Sequence, residues 1–199
     1  MLASSLNRSE IISYFDSKAE IWDTYTKVCP QKLETILMLG DIQEGNEVLD
    51  VACGTGVLFP WYLQKKVKRI VGVDVSSKMI EQARKNHQDS CIELYNQDIQ
   101  QCVFSKPFDR VMVFNALPHF PCAKQLVSCL FHVTSKGGRL TIAHDMGIRH
   151  LNQVHHKRAK PVSLELISAE ELSSFLSPYF TVDVCLSEDE LYVVSGIRK

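Results

Sequence analysis

A turn rich in small residues gives this sequence its clearest candidate for ligand chemistry. Residues 50–56 read DVACGTG and complete a short apolar run that starts at residue 47. Glycines are needed where a strand turns abruptly into a helix and a ligand approaches the backbone. Asp74 ends the next apolar run, twenty residues after Gly54, and a carboxylate at that place can accept both hydroxyls of a ribose. The turn and the acid together predict a site for an adenosine-containing cofactor.

The spacing of the glycines separates the nucleotide classes. The fingerprint G-x-G-x-x-G of NAD-binding proteins wants a third glycine where this sequence has Phe59, so that fingerprint is not met. No G-x-x-x-x-G-K-[ST] sequence occurs, which excludes a P-loop. An NAD-binding oxidoreductase remains the weaker alternative, because Asp74 alone would suit that cofactor equally well.

His119 is the first candidate for acceptor chemistry. It stands between Pro118 and Phe120 in the segment that follows the predicted fourth strand. A histidine there could orient an acceptor or take its proton near neutral pH. The same segment begins Asn115-Ala116-Leu117-Pro118 and lacks an Asp/Asn-Pro-Pro-Tyr motif. A packed loop histidine is the structural alternative.

A histidine-rich segment, residues 144–156, is the second candidate. We predict His144 and Asp145 as catalytic residues together with His119. The predicted acceptor-binding residues are His119, Arg149, Asn152, His155 and His156. Three interpretations stay open for the segment: an acceptor-binding lid, a transition-metal or metallo-cofactor site, and a solvated basic helix. The spacing HExxH is absent and adjacent helical histidines point about 100° apart, so no metal ligands are assigned.

Alternating strands and helices must position these groups. The predicted strands are residues 47–52, 69–74, 91–95, 108–114 and 139–144. The predicted helices are residues 9–24, 30–39, 77–88, 122–134 and 168–177. Such alternation indicates βαβ units and a parallel sheet with helices on both faces. The runs at 180–185 and 191–197 are too close for a parallel crossover and predict an antiparallel hairpin. The predicted fold is therefore α/β: a doubly wound, mostly parallel, seven-stranded sheet with a C-terminal antiparallel hairpin and a helical N-terminal cap.

Composition limits the partners and the compartment. The 199 residues carry 22 Lys plus Arg against 23 Asp plus Glu, a net charge of −1, which favours neither nucleic acid nor a membrane surface as a partner. No stretch is long and apolar enough for a membrane helix or a signal peptide. Seven cysteines without a CxxC pair indicate buried thiols in a reducing compartment. We expect one cytoplasmic domain over 1–199, with a cap at 1–42 and a Rossmann-like core at 45–197; the oligomeric state is left open.

The sequence resembles the class I S-adenosylmethionine-dependent methyltransferases. The resemblance rests on VLDVACGTG, VGVDVSSKMIEQA, NQDI and FDRVMVFNAL, and spans roughly residues 45 to 197. YFDSKAEIWD is similar to the helical cap of the ubiquinone/menaquinone-biosynthesis-type members, and the histidine-rich segment resembles that of an uncharacterised bacterial subgroup. Ala52 departs from the pattern, since many members have glycine there.

The resemblance implies S-adenosyl-L-methionine as cofactor and S-adenosyl-L-homocysteine as product. It implies that Asp50 supports the loop beneath the methionine end, that the backbone around Ala52, Gly54 and Gly56 borders that end, and that Asp74 holds the ribose hydroxyls. It further implies that Val75 and Met79 sandwich the adenine, that Asp98 and the backbone of Ile99 meet its polar edge, and that Asn115 lies near the amino-acid moiety.

Trp22 shares a predicted helical face with Phe15, and its large ring could close the cofactor pocket. The sequence thus predicts methyl transfer to a small-molecule acceptor by in-line displacement. The alternative of another class is a cofactor-binding or regulatory protein that keeps the fold without the chemistry.

Overall fold

The structure is a computed structural model that describes residues 6–25 and 28–199. A seven-stranded sheet forms its centre. The strands are β1 (Glu47–Val51), β2 (Arg69–Asp74), β3 (Ile92–Asn96), β4 (Phe108–Phe114), β5 (Thr134–His144), β6 (Phe180–Ser187) and β7 (Tyr192–Arg198). Their order across the sheet is β3-β2-β1-β4-β5-β7-β6.

The pairing of the strands confirms the predicted fold. β1 pairs in parallel with β2 and with β4, and β7 pairs antiparallel with both β5 and β6. All five residues of β1 are buried, as expected for a strand covered on both faces. The reversal of strand order beside β1 places a crevice at the carboxyl ends of β1, β2 and β4, where such sheets bind ligands.

Helices cover both faces of the sheet. They are α1 (Arg8–Lys18), α2 (Trp22–Tyr25), α3 (Pro30–Leu39), α4 (Phe59–Gln64), α5 (Ser77–Asn86), α6 (Ala123–Val133), α7 (Ile148–Arg158) and α8 (Ala169–Leu176). One core joins α6 and α8 to Leu49 and Val113, and a second core joins α3 and α4 to Val48. Neighbouring strand residues therefore serve opposite cores, because side chains alternate across a strand.

Two predicted elements differ from the structure. The predicted helix at 9–24 is divided, because a 3-10 turn at Ala19–Ile21 separates α1 from α2 and packs against α5. Ala19 is 2% exposed in that turn. The apolar pattern could not show this break, since both kinds of helix keep nearly the same face inward. β5 begins at Thr134 rather than at residue 139, and its pairing with β4 is irregular between the pairs Phe108–Thr134 and Arg110–Arg139.

Within the described ranges, no helix combines the length and the apolar character needed to cross a membrane.

Candidate functional site

A cavity of about 340 Å³ lies at the carboxyl ends of β1, β2 and β4. Its floor includes Asp50, Asp74 and Asn115, which end or follow those three strands. Phe15 and Trp22, from the helices between residues 8 and 25, line it on the other side. From here on, the cap means only these helices, α1 and α2, with the 3-10 turn between them. The cavity thus forms where the sheet topology predicts a ligand, and the cap covers it.

The small-residue turn takes backbone conformations that explain its composition. Ala52, Gly54 and Gly56 have φ angles of 56°, 55° and 82°, in the left-handed region that favours glycine. A Cβ on Gly56 would lie 2.6 Å from the Phe59 ring, whereas one on Gly54 would have Trp22 Nε1 as its nearest neighbour, at 3.9 Å. Ala52 and Gly54 line the cavity, and Gly56 does not. Gly56 therefore serves the packing of the turn, and Gly54 leaves room for a ligand.

Asp74 is held in place by backbone groups. Its Oδ2 accepts a hydrogen bond from Gly54 N (2.9 Å), and its Oδ1 accepts one from Ser76 N (2.8 Å). Burial raises the pKa of Asp74 to about 6, although both backbone N–H groups act to lower it. Each carboxylate oxygen keeps a second lone pair, so the side chain can still accept two hydroxyl groups. Val75 and the buried Met79 line the cavity next to it.

Asp50 brings a second carboxyl group to the cavity floor. It is 2% exposed. Burial raises the pKa of Asp50 to about 8; the nearby Asp74 adds to the rise, and the Tyr62 hydroxyl opposes part of it. A cation bound at this carboxyl group would favour its ionised form.

Asp98 and Asn115 have partners that the sequence did not predict. Asp98 Oδ1 accepts from Gln100 N (2.9 Å), and its Oδ2 forms an ion pair with Arg8 Nη1 (3.2 Å). Asn115 Nδ2 donates to Asp145 Oδ1 (2.9 Å), while Asp145 N donates to Asn115 Oδ1 (3.1 Å). Both Asp98 and Asn115 line the cavity, as does Ile99.

Carboxylates of the cap bind the loops beneath it. Asp16 Oδ1 accepts from Ser76 Oγ (2.6 Å) and from Lys78 N (3.2 Å). Asp23 accepts from Thr55 Oγ1 (2.5 Å) and from the side chain of Asn86 (3.0 Å). Ser76 follows Asp74 closely and Thr55 adjoins Gly54, so the cap is attached to the two segments that carry the predicted ribose site.

The structure separates the predicted acceptor residues. His119 lines the cavity, and its Nδ1 lies 2.8 Å from the backbone oxygen of Val162. His144 is fully buried, and Asp145 bonds to Asn115. The cavity lining given by the described residues contains neither of them. It also lacks Arg149, Asn152, His155 and His156.

The side chains of α7 have other surroundings. Asn152 Oδ1 accepts from Leu166 N (2.8 Å), which ties the helix to the following loop. Arg149 and His156 are exposed. His155 is half-buried and its ring packs on His119. Among the described side chains of α7, His155 therefore contacts a residue of the cavity lining, His119, without lining the cavity itself.

Comparison with known proteins tests the predicted family. Residues 48–138 match a family model described as a methyltransferase domain. This match covers just under half of the chain and supports the predicted family, the class I S-adenosylmethionine-dependent methyltransferases.

Curated relatives of this chain are longer than the region they share with it. Malonyl-[acyl-carrier protein] O-methyltransferase of Acetivibrio thermocellus is 31% identical over 102 residues, 50% of this chain and 36% of the relative. Ubiquinone biosynthesis O-methyltransferase of Coxiella burnetii is 26% identical over 150 residues, 68% of this chain and 61% of the relative. This chain thus matches between about a third and three fifths of their length.

Solved structures show the same fold. The N-methyltransferase NodS of Bradyrhizobium japonicum, in complex with S-adenosyl-L-homocysteine, has a TM-score of 0.73 at 14% sequence identity. The match covers 94% of this chain and 98% of that one. The methyltransferase fold therefore extends over nearly the whole chain.

Sequence reasoning missed the polar contacts of the cap. Arg8, Asp16 and Asp23 each bind a residue at least 32 positions away. Helical periodicity reports which face of a helix is apolar, and it carries no signal for such long-range polar pairs. Across residues 6–25 and 28–199, no three His, Cys, Asp or Glu side chains are arranged to hold a metal ion.

Proposed function

We propose that this chain transfers a methyl group from S-adenosyl-L-methionine to a small-molecule acceptor by in-line displacement. The observation that carries the proposal is one cavity in which Asp50, Asp74 and Asp98 meet under an aromatic cover. The cofactor of the family is S-adenosyl-L-methionine, and its product is S-adenosyl-L-homocysteine.

The residues of the cavity fit this cofactor by their chemistry. The donor carries a sulfonium and an ammonium group. Asp50 and Asp74 can bind a cation in their ionised forms, whereas Asp98 is already paired with Arg8. Asp74 retains lone pairs for the two ribose hydroxyls. Val75 and Met79 offer an apolar surface and a soft sulfur for the adenine. Asp98 and the backbone of Ile99 would meet its polar edge, while Ala52 and Gly54 leave the backbone accessible.

His119 is the proposed acceptor-orienting residue. When bound, the cofactor supplies an electrophilic methyl group, and its sulfur keeps the electron pair of the broken C–S bond. Because a carbonyl oxygen only accepts, the contact with Val162 places the proton on His119 Nδ1 and leaves Nε2 with a free lone pair. Nε2 can accept a hydrogen bond, or the proton, from an acceptor X–H as the X–CH₃ bond forms.

Exclusion of water supplies much of the proposed rate. Positive charge disappears from the donor during the displacement, so a dry and shaped pocket favours the reaction. Phe15, Trp22, Phe114 and Phe120 give the cavity a largely apolar wall.

We propose that the protein acts in the cytoplasm, because the cysteine pattern of the sequence indicates a reducing compartment. We also propose that its substrate is a small-molecule acceptor.

Ligand-dependent melting tests the cofactor part of the proposal. S-adenosyl-L-methionine or its product at 100 times Kd should stabilise the folded state by about 2.7 kcal/mol. That would raise the Tm by roughly 5–10 °C for a chain of this size. Asp74→Ala should abolish most of the shift, and Glu44→Gln, an exposed surface change, should preserve it. Stabilisation by NAD without any by S-adenosyl-L-methionine would refute the proposal.

Turnover tests the catalytic part. Methyl-labelled donor is incubated with the protein and small-molecule extracts, and labelled products are separated. A labelled product that requires His119 supports the proposal. Firm cofactor binding without product in any extract would favour the non-catalytic binding protein instead.

A further inference from the structure

Three histidines from different elements converge behind the cavity. They are His119 in the 3-10 turn Leu117–His119, His144 at the end of β5, and His155 on α7. The His119 and His155 rings lie 5.2 Å apart between centroids, with their planes inclined by 38°. We propose that His155 is a positioning residue, which holds the ring of His119 and keeps it in the neutral form that can accept a proton. This inference rests on the proposed function for His119.

The segment around and after α7 holds the His119 turn. The Val162 carbonyl accepts from His119 Nδ1 (2.8 Å), and Leu164 N donates to the Pro118 carbonyl (2.8 Å). The ring of His155 adds a contact from α7 itself. The turn thus donates one hydrogen bond to residues 155–164, accepts one from them, and has one ring contact with them. The tautomer of His119 is fixed by the first of these bonds.

The cap contributes a further ring contact to His119. Phe15 meets His119 edge to face, with centroids 4.9 Å apart and planes at 84°. His119 therefore contacts an aromatic ring from the cap and an imidazole from α7. A ring with two such neighbours and a fixed Nδ1–H has few orientations left, which suits a group that must align an acceptor.

The histidines also act on each other's charge. Burial is the main cause that lowers the pKa of His119 to about 4; the hydrogen bond to the Val162 carbonyl opposes the shift, and His155 contributes to it. Burial lowers the pKa of His144 to about 3, and His155 and His119 add to it. The titratable groups that face His119 are thus His155 from α7 and His144 from β5; the cap presents the uncharged ring of Phe15.

Unpartnered nitrogens reinforce the preference for neutral rings. Neither ring nitrogen of His144 has a hydrogen-bond partner among the described residues, and the same holds for Nδ1 of His155. At these nitrogens no carboxylate or carbonyl among the described residues would stabilise an added proton, so a charge on His144 or at Nδ1 of His155 would be costly. A neutral His119 adds no second cation to a cavity that Arg8, paired with Asp98, already lines.

Histidine NMR tests the inference without turnover. The full chain is labelled with ¹⁵N-histidine and titrated, and His119 should appear as the Nδ1–H tautomer and stay neutral at pH 6. His155→Phe keeps an aromatic ring against His119 but removes the imidazole that can carry a second positive charge. The pKa of His119 should therefore rise. His155→Gln, which is smaller and uncharged, should shift it in the same direction. His150→Phe, an exposed change on the same helix, should leave it unchanged.

Kinetics supply the second measurement. In His155→Phe the acidic limb of the kcat–pH profile should move to higher pH, with kcat near pH 5 lower by about twofold and a smaller change in KM. Cofactor binding should match the wild type.

Two results would overturn the inference. One is an unchanged His119 titration and pH profile in both variants. The other is a stoichiometric metal ion that is lost in His155→Phe, since the histidines would then form a ligand set. Because the titration needs neither cofactor nor acceptor, a failure of the proposed function would appear separately, as absent cofactor binding or absent product.

Discussion

Asn115 and Asp145 exchange two hydrogen bonds across the ends of β4 and β5, one through side chains and one from the Asp145 backbone. Asn115 adopts a left-handed conformation, with φ of 52°, which asparagine tolerates better than most residues. The pair fixes the exit of β4 at the cavity. Asp145, predicted as catalytic from the sequence, thus has a structural partner.

Replacing Asn115 should separate the contribution of its hydrogen bonds with Asp145 from the cost of its left-handed backbone conformation. Asn115→Ala loses the bonds and keeps the left-handed strain, so we expect a loss of about 2–4 kcal/mol in the free energy of unfolding. Asn115→Gly loses the bonds alone and should be more stable than the alanine variant by about 1 kcal/mol. Urea unfolding measures both. Equal stabilities would show that the backbone conformation is unstrained.

Ala52 offers the opposite experiment. Its φ of 56° is unfavourable for any residue with a Cβ, so Ala52→Gly should stabilise the protein by up to about 1 kcal/mol. Ala83→Gly, inside helix α5, should instead cost about 1 kcal/mol. Thermal unfolding distinguishes the two signs. A destabilised Ala52→Gly variant would contradict the strain argument.

Cofactor binding should release a proton at Asp50. The pKa of this carboxyl group is raised to about 8 by burial, so much of it is protonated at pH 7, and a cationic ligand favours the ionised form. Affinity for S-adenosyl-L-methionine should therefore increase from pH 6 to pH 8. Calorimetry in two buffers with different ionisation enthalpies reports the released proton, and Asp50→Asn should remove it. Binding without proton release would contradict the assignment.

The buried His144 should limit stability in acid. Its folded-state pKa is about 3 and its unfolded value about 6.5, so the native state is favoured above pH 6.5 and loses this contribution as the pH falls towards 3. His144→Phe removes the titration and two unpartnered nitrogens. It should raise the unfolding free energy by about 1–3 kcal/mol at pH 7, and by more at pH 5.

Turnover of the same variant decides the role of His144. A fully buried residue outside the cavity lining should be dispensable for methyl transfer. If the variant loses turnover while folding and cofactor binding stay normal, His144 has a role in the reaction.

Trp22 should report cofactor binding. It lines the cavity, so its fluorescence should change on addition of S-adenosyl-L-homocysteine, and the cap should become protected from proteolysis. Asp23→Ala removes a contact to Thr55 and should weaken this protection. Asp89→Ala, on an exposed loop, is the matched control. Unchanged emission and cleavage at saturation would make Trp22 a packing residue only.

The sequence predicted the parts of the structure that depend on local signals. Buried apolar runs gave the five parallel strands, and the short 187–190 connection gave the antiparallel hairpin. Glycines and Asp74 marked the turn that borders the cavity. Each of these features depends on residues close in sequence or on a topology that follows from their order.

The surroundings of α7 could not be predicted, because a distant loop determines the path of the chain there. Gly147 N donates to the Asp189 carbonyl, and a Cβ on Gly147 would come within 2.3 Å of that oxygen. The β6–β7 loop therefore crosses the start of α7 and fixes its direction. No pattern within 144–156 contains that constraint, so the expected group of Arg149, Asn152 and His156 at the cavity does not form.

The cap also shields the cavity from the high dielectric constant of bulk water. Phe15 and Trp22 of the cap line the same cavity as Asp50 and Asp74, two carboxyl groups whose pKa values are raised by burial. A chain lacking the cap would surround both groups with a high-dielectric medium, and each would titrate nearer to its ordinary value. Its pocket would then hold permanent negative charge at neutral pH, and screening by salt would weaken its attraction for a cation far more than in the intact chain. Carboxyl titration and the salt dependence of binding in such a shortened chain would measure how much of the site's character comes from its cover.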